Sequence, residues 1–231
     1  MPLTLDHRRI GDITVVTCDG RIVEGAESLA LRHLLDELLP FGPHLVLHVG
    51  AVEFVDSSGL GLLARYAART RKAGGGIRLC APSMKFASVL KATRLEQIFD
   101  SHESEADAIT AFYRGSPSGA PVPALGADIL CVVESIDVQS YVRELLGQTG
   151  CYVLTAGNLP DALVLLQATH PKLVVITAAL RQTRSTHAAE KFNRLADNLP
   201  VIELPAEFSS IDAGDAGQAL LERVRTLSAA F

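Results

Sequence analysis

The chain contains no tryptophan, only two methionines, and just 5% aromatic residues among its 231. That scarcity disfavours a base-stacking platform or an aromatic ligand cage, and it leaves the core to aliphatic side chains. Excess positive charge is missing as well. Lys and Arg total 21 against 26 Asp and Glu, a formal net charge of −5, which gives no electrostatic footprint for nucleic acid or an anionic membrane. Protein partners are therefore expected. No apolar run approaches the roughly 18 residues of a membrane span, and the start, MPLTLDHRRIGD, has no leader-like apolar stretch, so a cytoplasmic location is expected. The four cysteines, Cys18, Cys80, Cys131 and Cys151, form no C-x-x-C pair and suggest neither a disulfide framework nor a zinc site. The first three lie in apolar, strand-like runs and read as small core hydrophobes.

What is present is enough to fold. Hydrophobic residues make up 48% of the chain and charged residues 20%, and 231 residues is comfortable for two domains. The division is expected at 114–127, RGSPSGAPVPALGA, where charge and helical periodicity give way to Pro117, Pro121 and Pro123 among Gly, Ser and Ala. Domains are thus expected at 1–113 and 128–231, both mildly acidic and unrelated by any fixed repeat.

Along the first half, ITVVT at 13–17 reads as a strand ending at Asp19-Gly20, and 26–39 carries leucines at helical spacing until Phe41-Gly42-Pro43 stops it. A strand at 44–55, a helix at 58–73 ended by Gly74–Gly76, a strand at 77–80 and a helix at 85–99 follow. The second half alternates strands (129–135, 151–155, 173–177, 201–204) with helices (137–147, 160–169, 216–227), a doubly wound α/β pattern.

The most informative stretch is VEFVDSSGLGLL at 52–63. A buried strand runs into a polar, glycine-bearing turn that opens a helix, so Ser57 and Ser58 fall beside unsatisfied backbone N–H groups, with Asp56 or Ser57 as the cap. Gly59 and Gly61 keep the first turn low. Together with RKAGGGIRLCAPS at 71–83 and VLKATRLEQIFDSHESEADA at 89–108, this stretch makes residues 3–112 resemble a STAS domain of the anti-sigma factor antagonist (anti-anti-sigma factor) family. With no Walker loop, no G-x-S-x-G elbow and no reactive-cysteine context in the sequence, no enzymatic activity is expected. The resemblance implies a mixed sheet with helices and regulation by partner switching. In that scheme a serine-kinase anti-sigma factor binds the unmodified domain and phosphorylates the serine after the Asp, here Ser57, while a serine phosphatase reverses the mark. It implies a partner surface of Asp56, Ser57, Ser58, Gly59, Leu60 and Gly61. The family's Gly-x-Leu-Asp turn is replaced by GRIVEG at 20–25, with Glu24 as the substitute acidic contact. An unmodified STAS subunit in a larger scaffold, stressosome-like or transporter-associated, is the alternative.

Residues 128 to about 205 resemble a response-regulator receiver, a doubly wound flavodoxin-like domain, through ILCVVESIDVQSYVRELLGQTGCYVLTAGNLPDALVLLQATHPKLVVIT. The family's working positions are degenerate. The acidic pair falls on Val133 and Glu134, the acceptor Asp on Thr177 and the switch hydroxyl on Pro205. Glu134 and Asp137 offer a hard cation too few oxygens, so no metal or other cofactor is expected. A pseudo-receiver is expected here, with homodimerisation, docking to the first domain or display of a surface to another protein as its open roles. The seven histidines are scattered without ligand spacing; His44 and His48 share a strand face. Arg65 and Arg69, four apart, read as a solvated helix face.

Overall fold

The computed structural model describes residues 1–114, 128–183, 186–205, 208 and 213–228. The chain divides into two compact units, Met1–Ala124 and Leu125–Phe231. Apart from Arg114, the stretch expected as a linker lies outside the described residues.

Unit 1 is a five-stranded mixed sheet in the order β1-β2-β3-β4-β5. β1 (Thr4–Ile10) pairs antiparallel with β2 (Ile13–Ile22), while β3 (His44–Val55), β4 (Gly76–Cys80) and β5 (Asp100–His102) add in parallel. Strand β2 does not stop at Asp19-Gly20. Register shifts at Thr17/Asp19 and Gly20/Arg21 carry it to Ile22, and Gly20, at φ 109, leaves room where a Cβ would overlap the Pro2 carbonyl. Helices α1 (Ala26–Leu38), α2 (Ser57–Lys72) and α3 (Met84–Ala92) bury their apolar stripes against one sheet face; Leu31, Leu35, Leu47, Leu63, Tyr66 and Leu79 form the centre of that core. Each such leucine contributes roughly 1.5–3 kcal/mol.

The helix expected over 85–99 is shorter. Ser83 caps α3 by accepting from Phe86 N–H at 3.2 Å, Thr93 folds its hydroxyl back onto the Val89 carbonyl at 2.8 Å, and Arg94 turns left-handed at φ 58, leaving a 3-10 turn at Leu95–Gln97. Helix α4 (Glu105–Arg114) then covers the opposite sheet face with Ala108, Ile109 and Phe112.

Unit 2 is α/β with a wholly parallel four-stranded sheet in the order β7-β6-β8-β9. Its strands are β6 (Ile129–Val132), β7 (Val153–Ala156), β8 (Leu173–Thr177) and β9 (Val201–Leu204). β6 ends at Val132, three residues short of the run expected to 135. Between the strands lie α5 (Ile136–Gly147), α6 (Leu159–Thr169), α7 (Ala178–Gln182) and α8 (His187–Ala196), and after β9 comes α9 (Ala213–Ser228). Val138, Val142 and Leu146 of α5 meet Leu220 and Val224 of α9 over Val175 and Ile202. Near-continuous Val/Ile/Leu runs suit strands covered on both faces.

Candidate functional site

The site is built where β3 ends and α2 begins. Asp56 is the N-cap. Its Oδ1 accepts the Gly59 N–H at 2.8 Å and its Oδ2 accepts the Glu24 N–H at 2.8 Å, while its own N–H donates to the Ile22 carbonyl at 3.2 Å. One side chain thus fixes both the helix start and the turn between β2 and α1. These backbone donors, Gly59 first and then Glu24, hold the Asp56 carboxyl below the usual carboxylate range.

With the cap supplied by Asp56, the neighbouring hydroxyls are left over. Ser57 and Ser58 are exposed, and the Ser57 hydroxyl makes no hydrogen bond to any described residue. One turn further along the Ser57 face, a Cβ at Gly61 would meet nothing within 4 Å. The approach to the hydroxyl is therefore unobstructed.

The seven residues expected to form one partner surface divide in two. Ser57, Ser58, Gly61 and Glu24 are exposed and Asp56 is half-buried. Gly59 and Leu60 are buried: Leu60 belongs to the core, and a Cβ at Gly59 would overlap the Ile22 carbonyl oxygen and stand 2.8 Å from Ile22 Cγ2. Gly59 thus lets α2 lie tightly on the end of β2. Glu24 reaches the site through its backbone N–H; the observed bond does not involve its carboxylate.

Sequence reading missed the apolar groove beside this turn. A cavity of about 460 Å³ lies between the end of β3 and α3, lined by Val52, Phe54, Val55, Met84, Phe86 and Val89 among others. Phe54 is 51% and Met84 88% exposed. Phe54 carries the Arg21 guanidinium 5.3 Å from its ring centre. The pair of aromatic and methionine at an exposed strand end and helix start was visible in sequence, but their convergence is tertiary. Arg65 is exposed as expected; Arg69 is bonded to Asp36 of α1 at 2.5 Å and lies over the Tyr66 ring.

In unit 2, Glu134 and Thr177 do come together at the ends of β6 and β8. The Thr177 hydroxyl donates to Glu134 Oε2 at 2.9 Å, Val133 is buried, and Pro205 is exposed just past β9. Lys172 is bound to Asp128 at 3.0 Å, at the opposite ends of the strands. Among the described residues no group of three His, Cys, Asp or Glu side chains could hold a metal ion, and no helix is long and apolar enough to cross a membrane.

The STAS domain family matches residues 4–108, and this stretch is a STAS domain, a little under half of the chain. Solved structures of similar proteins each cover less than half of this chain. An anti-sigma factor antagonist from Mycobacterium paratuberculosis is 26% identical, covering 47% of this chain and 92% of its own, with a TM-score of 0.41. An anti-sigma-factor antagonist (STAS) domain protein from Planctomyces limnophilus is 22% identical, covering 48% and 97%, with a TM-score of 0.42. The Bacillus cell fate determinant SpoIIAA, in its phosphorylated form, is 17% identical, covering 46% and 96%, with a TM-score of 0.39. No curated protein matches the chain.

Proposed function

We propose that unit 1 is an anti-sigma factor antagonist that works by partner switching through Ser57. In its unmodified form it binds a serine-kinase anti-sigma factor and frees a sigma factor. The kinase then transfers a phosphoryl group from ATP to the Ser57 oxygen, the complex parts, and a serine phosphatase resets the site. The observation that supports this most is the exposed, unbonded hydroxyl of Ser57 at the mouth of α2, beside an Asp that already supplies the cap.

Electrostatics decide the direction of the switch. A phosphate adds about −1.5 to −2 charges. In the free protein the start of α2 tolerates it, at a gain of roughly 0.3–1 kcal/mol from the helix dipole. In a closed interface the same phosphate loses its water next to the ionised Asp56, and a poorly compensated buried charge costs several times that gain. Dissociation follows. The exposed rim of Ser57, Ser58, Gly61 and Glu24, with the apolar groove behind Phe54, is the surface we assign to the partner.

For unit 2 we propose a pseudo-receiver. Its strand order, second-first-third-fourth, is that of the first four strands of a flavodoxin-like sheet. Its receiver positions hold Val133, Glu134 and Thr177 in place of the acidic pair and acceptor, so no aspartyl phosphate forms there, and its role is contact with protein, a second copy included.

The test is mass spectrometry of the chain recovered from its native cells with phosphatases inhibited. One phosphate on Ser57, absent in Ser57→Ala, with loss of kinase binding in Ser57→Asp, is the expected result. Tight kinase binding by Ser57→Asp, or stoichiometric partners indifferent to ATP, overturns the switch in favour of an unmodified scaffold.

A further inference from the structure

The sheet face beneath α4 carries a cation where a core would ordinarily be apolar. Arg78 on β4 is 4% exposed. Its Nε stands 3.6 Å from Asp100 Oδ2, its Nη1 donates to the Ala108 carbonyl of α4 at 3.4 Å, and its guanidinium lies 3.8 Å from the centre of the Phe112 ring, also on α4. Cation–π contact and one carboxylate compensate one buried charge. The helix is therefore held down partly by Arg78.

Imidazoles surround this arrangement. His44 on β3 meets Phe112 edge to face, with ring centres 5.1 Å apart. His48 and His102 flank Cys80 in register across β3, β4 and β5. Nδ1 of His44, Nδ1 of His48 and Nε2 of His102 are buried with no hydrogen-bond partner among the described residues. Neutral imidazoles tolerate this; imidazolium ions, each a double donor, do not.

We infer that α4 is an acid-released latch: protonation of His44 and His102 beside Arg78 undocks the helix and bares the apolar surface under Ile109 and Phe112.

The β1–β2 turn brings Asp12, and β1 brings Arg8. Opposite His48, β2 presents the neutral Thr17, and opposite Val46 it presents Val15. β4 adds Arg78 and Cys80, β5 adds Asp100, and α4 adds Glu105, Asp107 and Tyr113. Burial and then Arg78 push His102 below its ordinary range against Asp100 and Asp107; burial pushes His44 down as well, with Asp12 opposing and Arg78 assisting. Once α4 lifts, both rings return to the ordinary value near 6.5 and bind protons more readily than in the docked state. Docking is thus at full strength above about pH 6.5 and weakens as pH falls below it, by up to about tenfold per pH unit for each histidine that takes up a proton.

Hydrogen exchange on the full chain at pH 7.5 and 5.5, corrected for the intrinsic pH dependence of exchange, tests the latch. Amides of α4 should lose protection at least about tenfold relative to those of α2, and a His44→Gln/His102→Gln variant should keep α4 protected at pH 5.5. Unchanged protection of α4 in the unaltered chain, or equal loss from α2 and α4, overturns the proposal. Should the double variant fail to fold, NMR titration of the unaltered chain decides: α4 backbone resonances must move with the same midpoint as the His44 and His102 rings, below 6.5, and separate midpoints overturn it.

Discussion

Gly59 and Gly61 stand two residues apart in one helical turn, and a methyl group added to each should have opposite effects. At Gly59 the new Cβ would overlap the Ile22 carbonyl oxygen and lie 2.8 Å from Ile22 Cγ2, contacts that only a shift of backbone relieves. The same carbonyl accepts the Asp56 N–H, so lifting α2 also loosens the cap. Overpacking of this kind costs about 1–3 kcal/mol, and the better helix propensity of Ala returns up to about 1 of it. Gly59→Ala should therefore lose about 1–2 kcal/mol. For a unit of this size that lowers Tm by roughly 3–6 °C per kcal/mol. At Gly61 the Cβ meets nothing within 4 Å, and Gly61→Ala should gain about 0.4–1 kcal/mol. Thermal melts followed by far-ultraviolet circular dichroism resolve both shifts. A Gly59→Ala chain that melts with the parent, or a Gly61→Ala chain that falls as far as Gly59→Ala, would refute the tight seating of α2 on Ile22.

Asp56→Ala removes the acceptor for both the Gly59 and Glu24 N–H groups and should cost about 0.5–2 kcal/mol in urea unfolding. Because the Asp56 carboxyl is held below its ordinary range, its contribution is complete above about pH 4 and fades as pH falls through the lower folded value, so the parent and variant should converge in acid. Burial pushes the thiols of Cys18, Cys80 and Cys131 up to about 12, whereas Cys151 is partly exposed. A disulfide reagent at pH 8 should label Cys151 alone in the folded chain and all four cysteines in denaturant, as read by mass spectrometry.

Runs rich in aliphatic and β-branched residues were legible from sequence whether buried on both faces, as in β8, or partly exposed, as in β3 and β9, and so all three fall where the pattern places them. β1 was not, because TLDHRRI is an exposed edge strand whose order comes from pairing with β2, seven residue pairs that no local pattern announces. α4 and β5 escaped for a related reason: β5 is three residues long, and α4 is defined by what it covers. At the site, the order Asp-Ser-Ser-Gly announces a cap at Asp56 or Ser57, and the bond from the Gly59 N–H to Asp56 decides between them and leaves the Ser57 hydroxyl over. The reason for Gly59 is not legible there, since Ile22 is 37 positions earlier. Nor is the buried Arg78, which looks like a surface charge in IRLC until Asp100 and Phe112 arrive from further along the chain.

Both units place their polar groups where open α/β sheets gather ligands, beyond the carboxyl ends of parallel strands. The outcome at the two places differs because a different group is tied down in each. Past β3 the carboxylate is the bound partner: Asp56 spends both oxygens on backbone N–H groups, and the hydroxyl beside it is left without a bond. Past β6 and β8 the hydroxyl is the bound partner: Thr177 donates to Glu134, and Val133, buried, brings no second charge to draw a hard cation. A free hydroxyl at a helix start can be modified by any enzyme that reaches it, whereas a hydroxyl already donating to a carboxylate must first break that bond. On the proposed reading, the modification therefore belongs to unit 1, and unit 2 contributes its surfaces.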